Sequence, residues 1–434
     1  MTKLPTREEL ARAIAGRRDW AIRTLGDLVR EPTVLGAEES GQRRLDEILT
    51  SLDFETRREA VDLDPISSHP GFSPVDWEMN GKANLVAIHD PGENEGRTLA
   101  FNGHIDVVSP EPVSLWTSPP FEPRLEEKGE DGETWMYGRG TGDMKGGTVS
   151  FLWALAALRD LGVEPASRVI CQSPVEEECT GNGTLALLAN GHTADACIIP
   201  EPFNETILRR QIGVIWFKVR VSGVTTHVLA AGSGVNAIEK SWVIIRALRA
   251  LEDELNRPEN VPSAYQGVDH PVNLNVGIIQ GGDWASTVAG ECVIHFRIGL
   301  FAEQSREEIC SRVEACVREA AAADPWLRES PPTVEYGGFQ AEGCECDIDG
   351  EFGRMLRETH NAWRGADPVE LSATCTSDVR HFALYYDVPV TCYGPIARNI
   401  HGVDEKVSID SMQRVAEVLA DFTGQWCGLR RRTS

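Results

Sequence analysis

The sequence predicts an α/β protein. It is built on a mostly parallel sheet flanked by helices, with a smaller α+β domain of ferredoxin-like order inserted into it. Three observations lead there. Short apolar runs of strand length alternate with helix-length periodic segments through residues 1–212, the pattern of a parallel sheet covered on both faces. Between 213 and 330 the order becomes strand, helix, strand, strand, helix, the start of a β-α-β-β-α-β unit. Alternating α/β character then resumes near Gly350. The division is therefore 1–212 and 331–434 for one domain and 213–330 for the insert, as expected of 434 residues, too many for one ordinary core. Hinges are expected near 208–214 and 330–340.

Along the chain, residues 7–30 read as helical, with Leu10, Ile14, Ile22, Leu25 and Leu28 recurring at spacings near three and four. Strands are expected at Asn84–His89 and Thr98–Asn102, then a Pro- and Glu-rich surface loop over 109–135. Gly146–Leu161 is an apolar helix closed by Gly162, and strands at Arg168–Gln172 and Asp195–Ile199 flank a helix near Thr184–Ala189. In the insert, Val214–Val221, Asn273–Ile279 and Cys292–Ile298 are strands. Val235–Leu255 is an amphipathic helix placing Ile238, Trp242, Ile245 and Leu248 on one face, and Arg306–Ala322 is a second helix. Val388–Cys392 is a buried strand and Ser411–Phe422 the last helix.

Composition excludes several functions. Lys and Arg total 42 against 67 Asp and Glu, a formal charge of −25, which repels nucleic acid and anionic membranes. Neither a secretory apolar segment at the N-terminus nor a membrane-length apolar run is present. The 11 cysteines include Cys171 and Cys197 inside apolar runs, as in reduced core residues of a cytoplasmic protein. Cys344 and Cys346 form C-E-C without zinc-finger spacing and read as surface residues.

The candidate chemistry lies at the C-terminal ends of expected strands, where open α/β sheets bind ligands. In His104-Ile105-Asp106 the two polar residues share one face, so Asp106 is expected to accept a hydrogen bond from one ring nitrogen of His104 while the other meets a metal. Gly138–Gly147 crowds glycines around Asp143 just before a helix; their order matches neither phosphate-binding loop pattern. Glu176-Glu177-Glu178 follows an apolar strand, where adjacent acids can divide metal binding from proton handling. Glu201 ends another strand, and His401 lies in Asn399–Glu405.

Taken together and in this order, these segments resemble the zinc amidohydrolase and exopeptidase family of acetylornithine deacetylase, succinyl-diaminopimelate desuccinylase, carboxypeptidase G and aminoacylase. The resemblance runs over nearly the whole chain, most strongly at Gly138–Gly147. It implies two zinc ions (or cobalt or manganese) bridged by Asp143, one completed by His104 and Glu201, the other by Glu177 and His401. Glu176 is then the general base and Asp106 supports His104. With three glutamates in a row, base and ligand could instead be Glu177 and Glu178; Ser173–Glu177 matches the family's T-P-D-E-E best, with Val175 in place of its Asp.

The resemblance also makes the insert a lid and dimerisation domain. Gly223–His227 and Gly234–Ile238 are similar to the segment whose histidine reaches a neighbouring subunit's site, which would make His227 an oxyanion donor in a homodimer. Asn275 and Arg297 resemble lid residues that grip a substrate carboxylate, although the family's N-V-V-P reads Ser286–Ala289 here and its D-x-R reads Arg297-Ile298-Gly299. The implied activity is hydrolysis of a small N-acyl amino acid or related N-acylamine. The alternatives are a dipeptidase or carboxypeptidase of the same family, or a metal-binding scaffold without catalysis; a two-metal nuclease conflicts with the charge.

Overall fold

A computed structural model describes residues 5–129 and 131–432. Its strands are β1 (Glu55–Ala60), β2 (Ala83–His89), β3 (Leu99–Asn102), β4 (Val169–Ser173), β5 (Cys197–Ile199), β6 (Gly213–Ser222), β7 (Leu274–Gly281), β8 (Glu291–Leu300), β9 (Thr333–Ala341) and β10 (Val390–Cys392), besides shorter ones. The central sheet has the order β1-β2-β4-β3-β5-β10. β4, β3, β5 and β10 run parallel, and β2 and β1 are antiparallel at one side. β3, β4 and β5 are buried along their whole length, which explains why they read as continuous apolar runs.

Helices cover both faces of this sheet. Gly147–Asp160 and Ile409–Cys427 pack on each other, and Phe151 of the former stacks on Phe101 of β3 with ring centroids 5.0 Å apart. Burying each such side chain contributes about 1.5–3 kcal/mol. The expected N-terminal helix is two helices, Arg7–Gly16 and Arg18–Val29, meeting at Arg17. Thr6 caps the first in a capping box with Glu9.

The insert has its own sheet, β7-β8-β6-β9, antiparallel throughout, and its own apolar core. With helices Ala237–Leu255 and Arg306–Ala323 on it, this is the β-α-β-β-α-β unit. Its last strand, β9, runs to Ala341, so the sheet continues past the boundary drawn at 330. Two further readings are corrected. Ala237–Leu255 buries Ser241, Ile244, Ile245 and Leu248 but leaves Trp242 54% exposed, so Trp242 lies off the core face. Cys344 and Cys346 are buried, packed into the core of the main domain. All 11 cysteines are free thiols. Among the described residues no helix is long and apolar enough to cross a membrane.

Candidate active site

The adjacent parallel strands β4, β3 and β5 end on one edge, and each delivers an acid or histidine just past its last residue. His104 follows β3, Glu177 and Glu178 follow β4, and Glu201 follows β5. Asp143 arrives from the turn before helix Gly147–Asp160, and His401 from a loop near the C-terminus. His104 Nε2 lies 3.0 Å from Asp143 Oδ1, 3.8 Å from Glu201 and 3.9 Å from Glu177. His401 Nε2 lies 3.4 Å from Asp143 Oδ2 and 3.0 Å from Glu178. Asp143 thus stands between two histidines, one carboxylate oxygen towards each.

Close backbone packing sets this arrangement. A Cβ on Gly147 would collide with the carbonyl oxygen of Pro200, so only glycine lets the helix start press against the segment that carries Glu201. The turn bearing Asp143 is organised by Glu405, which sequence reasoning did not single out. Its buried carboxylate accepts from Arg139 Nη1 (2.6 Å) and from the backbone N–H of Gly140 (3.1 Å), Gly142 (2.8 Å) and Asp143 (3.0 Å). The signal was an arginine inside a glycine-rich turn with an acid four residues after His401; a buried guanidinium needs such a partner.

Asp106 is placed differently from the expectation. His104 Nδ1 bonds the main-chain carbonyl of Asp106 at 2.9 Å, while the Asp106 carboxylate is 3.7 Å from that nitrogen. The carboxylate instead accepts from the backbone N–H of Glu177 (3.3 Å) and Glu178 (3.0 Å), so Asp106 aligns the glutamate turn.

The three glutamates separate. Glu176 is fully buried with a left-handed φ of 67°. Its carboxylate accepts from Lys82 Nζ at 2.6 Å, Trp77 Nε1 at 2.7 Å and Thr180 Oγ1 at 3.1 Å. It forms no pair with His104 or His401. Glu177 and Glu178 face the histidines and line a cavity of about 580 Å³ together with His401. Of the three, only Glu177 and Glu178 face the histidines, whereas the sequence reading preferred Glu176 and Glu177.

Electrostatics reflect four carboxylates converging on two imidazoles. Burial pushes Glu177 and Glu201 well above the usual carboxylate range, and neighbouring acids add to it. Burial acts in the same direction on Asp143, but hydrogen bonds from both histidines outweigh it and hold its pKa low. Burial disfavours a proton on His104, yet Asp143 and the other carboxylates raise its pKa well above the ordinary value. The charge of Glu178 is the largest influence on His401, which rises to about 11. Such an excess of buried acid is what a bound cation compensates.

Asn275 and Arg297 are cross-strand partners on β7 and β8 and line the same cavity. Arg297 Nη1 donates to the carbonyl of Asn273 at 3.1 Å, and no ion pair reaches Arg297 among the described residues. His227 is exposed and does not line the cavity; its Nδ1 accepts from the backbone N–H of Leu229 at 3.0 Å.

Residues 100–425 match the peptidase family M20/M25/M40. The chain belongs to that family. Among its curated relatives, the N-formyl-4-amino-5-aminomethyl-2-methylpyrimidine deformylase of Halalkalibacterium halodurans is 30% identical over 369 residues, spanning 80% of this chain and 84% of the relative. The succinyl-diaminopimelate desuccinylase of Paracoccus denitrificans is 29% identical over 363 residues, spanning 80% and 87%. Among solved structures, the dipeptidase Dug1p of Saccharomyces cerevisiae superposes with a TM-score of 0.79 at 14% identity, covering 97% of this chain and 98% of that one. The family resemblance and the α/β fold with its insert are thereby established, and the protein is a hydrolase acting on amide bonds.

Proposed function

We propose that the protein removes the acyl group from a small N-acyl amino acid or related N-acylamine at a pair of divalent cations. The observation that carries this reading is Asp143 standing between two sets of donors. His104, Asp143 and Glu201 form one set; Asp143, Glu178 and His401 form the other. Mixed imidazole and carboxylate donors suit zinc, with cobalt or manganese as substitutes. Bound ions supply Lewis acidity, polarising a carbonyl oxygen and acidifying water.

Glu177 lies 3.9 Å from His104 and groups with His104 and Glu201; with Glu201 and Glu178 assigned to the two ions, it is the acid free to handle protons. It lies beside them in the cavity wall, so it takes the proton from the attacking water and returns it to the leaving nitrogen. Arg297 and Asn275 hold the substrate's carboxylate, which supplies the counter-charge that no described side chain gives Arg297. The two curated relatives, a deformylase and a desuccinylase, favour release of a small acyl group over cleavage of a dipeptide. Dialysis against a chelator is expected to abolish hydrolysis of an N-formyl, N-acetyl and N-succinyl amino-acid panel. Zinc added back should restore it with a break near two equivalents per chain. Full activity in metal-free protein would end this reading.

The protein is further proposed to act in the cytoplasm as a homodimer through the insert. β7 is an edge strand with Ile278 and Ile279 about half exposed, and Trp284 and Leu229 beyond it are 72% and 91% exposed. Unpaired edges with apolar side chains are normally covered. A second copy covering this edge would bring its His227 towards the cavity as an oxyanion donor. Sedimentation is expected to give a dimer. His227→Ala should lower kcat by about 10²–10³ with metal content unchanged. A fully active monomer would remove the claim.

A further inference from the structure

We propose that the non-reacting end of the substrate is a flat ring, and that Trp77, locked in place by Glu176, is the residue that selects it. This deepens the hydrolase reading above and rests on it for the position of the reacting bond.

The cavity over Glu177 and Glu178 is walled by Trp77, Trp216, Phe296 and Phe339. Trp216 meets Phe339 edge to face, with centroids 5.3 Å apart, and the guanidinium of Arg380 sits 5.3 Å from the Phe339 ring. Phe339 is therefore held on two sides. At about 580 Å³ the cavity suits a small two-part molecule better than an extended peptide. Aromatic walls favour planar partners, because stacked and edge-to-face contacts add to simple burial.

Trp77 differs from the other walls in having no strand beneath it. It lies in the long connection between β1 and β2, and polar contacts fix it from both domains. On the main-domain side its indole N–H donates to Glu176, whose same oxygen takes Lys82; Lys82 also donates to Glu38 at 3.0 Å. Asn182 holds Ser73 through both backbone groups, at 3.1 Å and 2.7 Å. On the insert side, Asp76 pairs with Lys218, the backbone N–H of Gly338 donates to Pro74 O at 2.7 Å, and that of Gln340 to Ser73 Oγ at 3.2 Å.

Glu176 is fully buried, held by an ammonium, an indole and a hydroxyl, and does not line the cavity, whereas Trp77 does. Its function is to fix the wall, and fixing it in advance removes the ordering cost when a ring binds. Glu176 is thus a positioning residue, adjacent in sequence to the acid that moves the proton.

The test uses N-acetylphenylalanine and N-acetylcyclohexylalanine, alike in size and differing in planarity. kcat/KM is measured on zinc-loaded protein, and calorimetric Kd on the zinc-loaded Glu177→Gln variant, which leaves the substrate whole. The planar ring is expected to be preferred by about tenfold in both. Trp77→Leu should bring both ratios close to one, acting through KM. Trp77→Phe, which keeps the Lys82–Glu176 pair and the ring but removes the N–H, should lower the ratios part-way, as should Glu176→Ala if it folds. Equal Kd values for the two compounds, or a preference that survives Trp77→Leu, would overturn the proposal. A planar preference in Kd without turnover would uphold the wall and defeat the proposed deacylase reading instead.

Discussion

Glu177→Gln is expected to lower kcat by about 10²–10⁴, the usual contribution of a positioned general base, while the protein still binds two equivalents of metal. Glutamine keeps the shape of the side chain and its place beside His104 and removes only the ability to take a proton. Glu176→Gln serves as the comparison. Its carboxylate is enclosed by Lys82, Trp77 and Thr180, so it should retain turnover well above that of Glu177→Gln and change mainly the response to substrate. Metal analysis beside steady-state kinetics on both variants checks the assignment. If Glu176→Gln were the inactive one and Glu177→Gln active, the register would return to the one the sequence motif favours.

The second large effect is expected at Glu405, away from any substrate. Glu405→Ala leaves the guanidinium of Arg139, 2% exposed, without its carboxylate. It also leaves three backbone N–H groups without their acceptor. Breaking one side of a buried pair costs about 3–5 kcal/mol, and the loss here falls on the turn that aims Asp143. Denaturant unfolding should show destabilisation of that order, together with weakened binding of both metal equivalents. Unchanged metal affinity would mean that the turn holds its shape by its own backbone alone.

Much of the fold was legible because its signals are local. β3, β4 and β5 announce themselves as apolar runs, and the strand and helix order of the insert predicts its antiparallel sheet. His104, Asp143, Glu201 and His401 were legible as an ordered set that resembles a known family, since Glu201 and His401 are each unremarkable in their own segments, and the structure brings all four together. The glutamate register was not. Three consecutive acids carry no periodicity, and the left-handed φ at Glu176 turns the chain between the first and the other two, so alternation along a strand no longer says which side chain faces the site. The role of Asp106 was misread for a related reason: spacing put its carboxylate on the correct face, but it could not show that the main-chain oxygen would reach the imidazole first. Trp242 was counted on the core face because it stands four residues after Ile238. Residue type marks a helix stripe only approximately, and a tryptophan on its margin looks like core until the neighbours are known. Glu405 was hidden because its partners lie more than 260 residues away.

The insert is entered through β6 and left through β9, and these two strands are direct hydrogen-bonded neighbours, with Val214 opposite Ala341. The ends of the excursion therefore meet at a single doorway on the main body. The two chain junctions of the unit lie side by side, and the polypeptide that carries the histidines and acids runs outside it. Any tilt of the unit about that shared root would carry Asn275, Phe296 and Arg297 together relative to the acids and histidines on the main body.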